Sequence, residues 1–271
     1  MGKPTLLLIG THHKTGSVWM RELFQAIARE LGLPFERLPA HQWPEDMDRP
    51  AAPSPRILFQ DHSFFALVPE SVVAAGIHVV RDPRDVLISA ANYHGYAQER
   101  WLLRKRSDFG DRSYQEVIRA LDFPDAVRFE MRHSAGRAIR DMVGFDAQEV
   151  FLTVAYEDLI SERRLEHASA LFSHLGFDGE HLARCIEIFL DPAISKITAQ
   201  GAVQADSDHI QSGEAGQWRY LYDEALLAAF RERFGDAPER LGYPPSDPDL
   251  LIDDPARRER YLADFRGKRG F

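Results

Sequence analysis

One cysteine, Cys185, stands in the whole chain of 271 residues, so no intrachain disulfide can form. That lack fits a reducing compartment, and the chain reads as cytoplasmic. Long apolar runs are missing too. The first, Leu6-Leu7-Leu8-Ile9, is too short for the core of a secretion signal. No stretch approaches the ~20 apolar residues of a membrane span, so no membrane partner is expected. The start, Met1-Gly2-Lys3-Pro4-Thr5-Leu6, has Leu6 where myristoylation needs Ser or Thr. Positive charge is in deficit: 33 Lys and Arg face 42 Asp and Glu, for a net charge of -9. A surface of that sign disfavours nucleic acid as a partner. An anionic small molecule would have to be met by a few locally placed cations, which makes individual Lys and Arg positions informative. Cys/His metal-ligand spacing is also absent, and no metal is expected. What remains is ordinary globular material, 44% hydrophobic and 28% charged, enough for one large domain or a domain with a small appendage.

Residues 5–9 read as a short buried strand, 10–16 as a glycine-containing turn, and 17–31 as a helix with Val18, Leu23, Phe24, Ile27 and Leu31 apolar. Gly32 and Pro34 stop it. Six prolines between 34 and 56 predict a loop. Residues 57–59 read as a second strand, 69–75 as helix-like, and 77–80 as a third strand broken by Arg81-Asp82-Pro83, with a helix starting near Asp85. Residues 95–148 are helical and charged, and 150–154 form a further strand. Helices follow near 162–175 and 179–189, then a long loop over 191–217 and a helix over 218–234. Alternating strands and helices predict an α/β fold with a mainly parallel sheet. Ligands sit beyond the carboxyl ends of such strands, where the loops after Ile9, Phe59, Val80 and Val154 all lie.

The segment Thr11-His12-His13-Lys14-Thr15-Gly16-Ser17-Val18-Trp19 joins a strand to a helix, where backbone N–H groups and the positive helix end make an anion site. Lys14 adds a full charge, Thr15 and Ser17 add hydroxyls, and Gly16 permits close backbone approach. The nucleotide-kinase order G-x-x-x-x-G-K-[ST] is not met. The segment resembles the 5′-phosphosulfate loop T-Y-P-K-S-G-T-T-W of the sulfotransferases that use 3′-phosphoadenosine-5′-phosphosulfate (PAPS). Thr11, Lys14, Gly16 and Trp19 match, Thr15 and Ser17 keep hydroxyls, and His12, His13 and Val18 depart.

A second patch, Arg81-Asp82-Pro83-Arg84-Asp85 with Ser89 eight residues after Arg81, resembles that family's 3′-phosphate segment. Arg81 carries a planar fork suited to phosphate, and Pro83 suits a helix start. Arg84 and Asp85 are read as holding the loop. Tyr156-Glu157-Asp158 resembles the family's Y-E-D segment, and Gly213-Glu214-Ala215-Gly216-Gln217-Trp218 its R-K-G-x-x-G-D-W, with Gln211-Ser212 in place of the basic pair. The resemblance implies a three-layer αβα, P-loop-NTPase-like sulfotransferase fold, a catalytic domain over 1–243 and a C-terminal extension over 244–271. It implies contacts to PAPS, and to its product 3′-phosphoadenosine-5′-phosphate (PAP), from Thr11, Lys14, Thr15, Gly16, Ser17, Val18, Trp19, Arg81, Ser89, Tyr156, Ser212 and Gly213. Trp19 would stack on adenine and Tyr156 would help hold it.

Sulfuryl transfer needs a base, in-line alignment and relief of charge on the leaving phosphate, as phosphoryl transfer does. Lys14 suits the leaving oxygens. His62, in Gln60-Asp61-His62-Ser63, resembles the family's T-H-L-P segment and suits the base, since imidazole titrates near neutral pH; Asp61 is the rival base. The resemblance implies an acceptor that is a hydroxyl or amine on a small molecule or carbohydrate. Aromatic and basic residues over 92–114 stand where the family walls its acceptor pocket, or make an ordinary solvated helix with core aromatics. The tail over 256–271 has six basic and two acidic residues. It reads as a solvated end, or as a segment that folds over the nucleotide or packs on a second subunit of a homodimer. Rival readings are an ATP-dependent small-molecule kinase of related fold and a noncatalytic nucleotide-binding module.

Overall fold

The computed structural model of the chain describes residues 3–39, 55–63, 73–145, 149–194 and 214–269. They fall into two compact units, one made of residues 1–81 and 144–214, the other of 82–143 and 215–271.

The first unit is built on a five-stranded sheet. Its strands are β1 (Leu6–Gly10), β2 (Phe35–Leu38), β3 (Arg56–Gln60), β4 (Ala74–Val80) and, past a two-residue hairpin pair in the other unit, β7 (Phe151–Ala155). The order is β2-β3-β1-β4-β7, and every pairing is parallel. Strands buried on both faces read as continuous apolar runs, and all five residues of β1 are buried. One face, with Leu7, Ile9, Ile57, Phe59, Ile77 and Val79, packs against helix α1 (Ser17–Leu31) and the helices α7 (Tyr156–Ile160), α8 (Arg164–His174) and α9 (Gly179–Leu190). Leu6, Leu8 and Leu58 point the other way and cluster with Leu38 and Phe151. Helix α1 buries Trp19, Met20, Leu23, Phe24, Ile27 and Ala28, a stripe at helical spacing, and ends at Gly32 in the left-handed conformation.

Residues 35–38 form strand β2 inside the stretch expected to be loop: four residues at the sheet edge need few backbone partners, and Phe35 and Leu38 still reach apolar surroundings beside β3. Ala74 and Ala75, expected in a helical piece, begin β4 instead, because the parallel ladder to β1 starts at Ala74.

The second unit is mostly helical: α2 (Pro83–His94), α3 (Arg100–Leu103), α4 (Tyr114–Arg119), α5 (Phe123–Arg132) and α6 (Ser134–Val143), with a hairpin of β5 (Lys105–Arg106) and β6 (Arg112–Ser113). The helix expected over 218–234 is two. It breaks after Leu221, and Asp223 starts the second half by accepting the Leu226 N–H at 2.7 Å. The tail is not a loose end: a helix over Pro255–Gly267 buries Tyr261 and Phe265 against Phe123. The buried Arg269 donates to the carbonyls of Ala91, Ile118 and Leu121, which close α2 and α4.

Residues 82–85 form the hub of this unit. The Asp82 carboxylate caps α2 through the Arg84 N–H and takes two further bonds from the Arg84 guanidinium, at 2.8 and 2.7 Å. That guanidinium also donates to the carbonyls of Pro244 and Pro245 and lies 3.7 Å over the Trp218 ring. Asp85 accepts the N–H groups of Gly216 and Trp218. Breaking a buried pair strands the remaining charge, at a cost of about 3–5 kcal/mol. Arg84→Met is therefore expected to lower unfolding stability by that amount in urea titrations, and a loss below about 1 kcal/mol would show that the hub is dispensable.

Candidate active site

The tips of four parallel strands in the first unit meet at one edge of the sheet. Beyond β1, the Thr11 N–H donates to the Gln60 carbonyl and the Thr11 carbonyl accepts from the Ser63 N–H, at 3.1 and 3.0 Å. The Thr11 hydroxyl also donates to the Gln60 carbonyl. These bonds staple the loop after β1 to the segment that holds Asp61 and the exposed His62, and the rings of His13 and His62 lie 5.9 Å apart at an interplanar angle of 24°.

The loop itself is wound around one oxygen. The His12 carbonyl accepts the Thr15 N–H, the Thr15 hydroxyl and the Ser17 hydroxyl, while the Thr15 hydroxyl accepts the His12 N–H. Each hydroxyl has one proton to give, so in this conformation Thr15 and Ser17 shape the turn with theirs. Lys14 is left with φ +67°, the left-handed region that disfavours a side chain. Its carbonyl accepts from the Arg81 guanidinium at 3.2 Å, a bond that ties the tip of β4 to this strained residue. Gly16 follows at φ +93°; a Cβ there would lie 3.1 Å from the Tyr156 ring. Among the described residues no side chain caps the N-terminus of α1, so the first-turn N–H groups, Val18 included, face the loop.

Arg81 is 5% exposed, and its Nε finds no partner among the described residues. Its guanidinium lies 4.7 Å over the Tyr156 ring. Tyr156 opens α7 and meets Trp19 edge-on at 6.1 Å, and Trp19 packs on Phe189. Trp19 and Tyr156 are both buried in the core, so Trp19 fills a structural place whatever else it touches. The sheet edge thus collects Thr11, Lys14, Thr15, Gly16, Ser17, Trp19, His62, Arg81 and Tyr156. Ser89 is half-buried on α2 of the other unit, and Ser212 and Gly213 lie outside the described residues. Asp61 is engaged by Arg37 and stands 4.0 Å from Arg21. In the second unit, the aromatics over 92–114 serve largely as core: His94 and Tyr114 are buried and both bond the buried Glu130 carboxylate. Trp101 stays 39% exposed, and Lys105 and Arg106 of β5 are exposed as well.

Sequence reading passed over one feature of the site. Buried His12 and His78 place their Nε2 atoms 2.8 Å apart; two histidines 66 residues apart give no local signal of that contact. Burial, with His78 and His62 nearby, pulls the His12 imidazole well below its ordinary value, and burial pulls His78 down to about 4. Both are therefore neutral in the folded chain where the unfolded chain, at about 6.5, begins to charge. As pH falls from 6.5 toward 4 the unfolded state takes up protons that the folded state refuses, so stability falls over that window. Urea titrations from pH 7 to 4.5 should show the fall, and the variant carrying His12→Gln and His78→Gln should show a flatter profile; identical profiles would contradict the assignment.

Among the described residues no group of three or more His, Cys, Asp or Glu side chains is placed to hold a metal ion, and no helix is long and apolar enough to cross a membrane. No curated protein matches the chain. A solved structure of a mouse sulfotransferase, SULT7A1 complexed with PAP, is similar over 97% of this chain and 88% of that one, with a TM-score of 0.51 and 14% sequence identity. That likeness carries the three-layer αβα fold. The family model for the sulfotransferase domain matches residues 4–242. With nearly the whole length inside that match, and the strand-tip loops arranged as described, the chain belongs to the sulfotransferase family.

Proposed function

We propose that this sulfotransferase takes its sulfuryl group from PAPS and passes it to a hydroxyl or amine acceptor by in-line transfer. The observation that carries the reading is the pairing of Arg81 with Lys14. A buried guanidinium with an unpartnered Nε holds the carbonyl of a left-handed lysine at the uncapped N-terminus of a 15-residue helix. Strain of this kind persists where surrounding structure imposes it, and it clusters at functional sites. The arrangement suits an anion of high charge, and the mouse relative in the solved structure holds PAP.

Lys14 and the α1 N–H groups stabilise charge on the departing 5′-phosphate. Arg81 stands for the 3′-phosphate, with Tyr156 and Trp19 on the adenine side. His62 accepts the proton of the acceptor hydroxyl or amine as the new bond to sulfur forms and the bond from sulfur to the bridging oxygen breaks. The proposed donor and product are nucleotides, and the chemistry asks for no metal. In the test, the protein is incubated with PAPS bearing labelled sulfur and a panel of phenols, alcohols, sugars and amines. Label should appear on at least one acceptor class without added metal. Transfer of the γ-phosphate of ATP with magnesium, and no transfer of label, would overturn the proposal.

A further inference from the structure

Beneath the loop that follows β1 lie two histidines that the transfer scheme leaves idle. His12 sits between Thr11 and Lys14; His78 is on β4, three residues before Arg81. The His78 ring lies flat on Phe145 with centroids 4.0 Å apart, and the His12 ring meets both edge-on. Two ring nitrogens 2.8 Å apart need one hydrogen between them, so one imidazole donates and the other accepts. A first added proton leaves that bridge intact, because Nδ1 of the donating ring can take it. A second would put hydrogens on both Nε2 atoms and break the bridge. The pair therefore has two compatible states, neutral and singly charged.

Burial holds it neutral, and His62 pushes His12 in the same direction. The titratable and charged groups along the same segments are His13 and Lys14 in the loop, His62 after β3 and Arg81 after β4. Phe145 brings no charge, and among the described residues no carboxylate shifts either ring. An anion in the loop reverses that balance, because it favours the charged form of a nearby base. It would also lie against the same backbone, since the His12 carbonyl is the oxygen around which Thr15 and Ser17 wind the loop.

We infer that the His12–His78 pair takes up one proton when a nucleotide polyanion occupies the loop, adding a cation made on binding to the standing charges of Lys14 and Arg81. The inference rests on the donor reading above. The proton comes from solvent on binding and returns to it when the product leaves. His12 and His78 thus act through the loop as positioning residues, without touching the transferred group.

The test is calorimetric titration with PAP at pH 6 in two buffers of different ionisation enthalpy, which gives the protons taken up on binding. Phosphate groups titrate near that pH themselves, so the wild type is read against a protein carrying both His12→Gln and His78→Gln, in which two amides keep a hydrogen bond and no imidazole remains. The wild type should take up more protons than this double mutant, by about half a proton at least, and by linkage its affinity for PAP should gain on the mutant's as pH falls. Equal uptake by the two proteins overturns the inference. A second measurement needs no substitution: ring resonances of His12 and His78 followed against pH should show the pair titrating at least one unit higher with PAP bound, and an unmoved titration overturns it equally. Failure of PAP to bind at all is a different result, which removes the donor reading and this inference with it.

Discussion

Replacing Lys14 with alanine is expected to lower turnover by ~10²–10³-fold and to weaken donor binding in the same variant, the scale of loss seen when one preorganised contact to a developing anion is removed. The geometry sharpens the expectation. Lys14 is held at φ +67° by a hydrogen bond from Arg81 to its carbonyl, a conformation that costs a residue with a Cβ roughly 1–2 kcal/mol. Alanine removes the ammonium and keeps the strain; glycine removes both. Lys14→Gly is therefore expected to unfold at higher urea than Lys14→Ala while losing turnover to the same degree. Steady-state kinetics with PAPS, run beside urea titrations of the two variants, check both halves. Full activity in either variant would mean that the side chain serves only the turn.

His62→Ala is expected to lose ~10²–10⁴-fold in turnover while PAP affinity stays within a few-fold of the wild type, because a general base acts on the acceptor proton and makes no bond to the bound nucleotide. The staple between Thr11 and residues 60–63 puts His62 beside the loop without burying it, as a proton acceptor that must meet an outside substrate requires. Asp61, one residue earlier, has its carboxylate engaged by Arg37, so Asp61→Asn is expected to cost far less turnover. Kinetics of the two variants, with calorimetry of PAP binding, separate the two carriers of the base role; the opposite ranking would move it to Asp61.

The parts legible in the sequence were those whose signal is local. Helix α1 is announced at both ends, by Gly16 and Gly32, and by a 3.6-residue stripe between them, and it spans Ser17–Leu31 as read. The strands β1, β3, β4 and β7 are short apolar runs, found with ends shifted by up to three residues. Strand β2 was hidden by the prolines around it, and the break at Tyr222-Asp223 was masked by apolar spacing that continues across it, although Asp223 before Glu224 is a readable helix start. Lys14, Arg81 and His62 were singled out by motif as candidates, and all three stand at the sheet edge. Arg84 and Asp85 were read as loop holders, and each is a buried hub contact. Long-range pairings were out of reach. The sequence shows His12 and His78 as two of 11 histidines, and Arg269 as one more cation of a basic tail, because only folding brings their partners near.

The proposed function requires that the loop after β1 and Arg81 together receive a 3′-phosphorylated adenine nucleotide. Calorimetric titration of the protein with PAP, beside AMP and beside ATP with magnesium, tests it most directly. Tight binding of PAP without any metal, and much weaker binding of the other two, is expected. Preference for ATP with magnesium, or equal affinity for AMP and PAP, would contradict it.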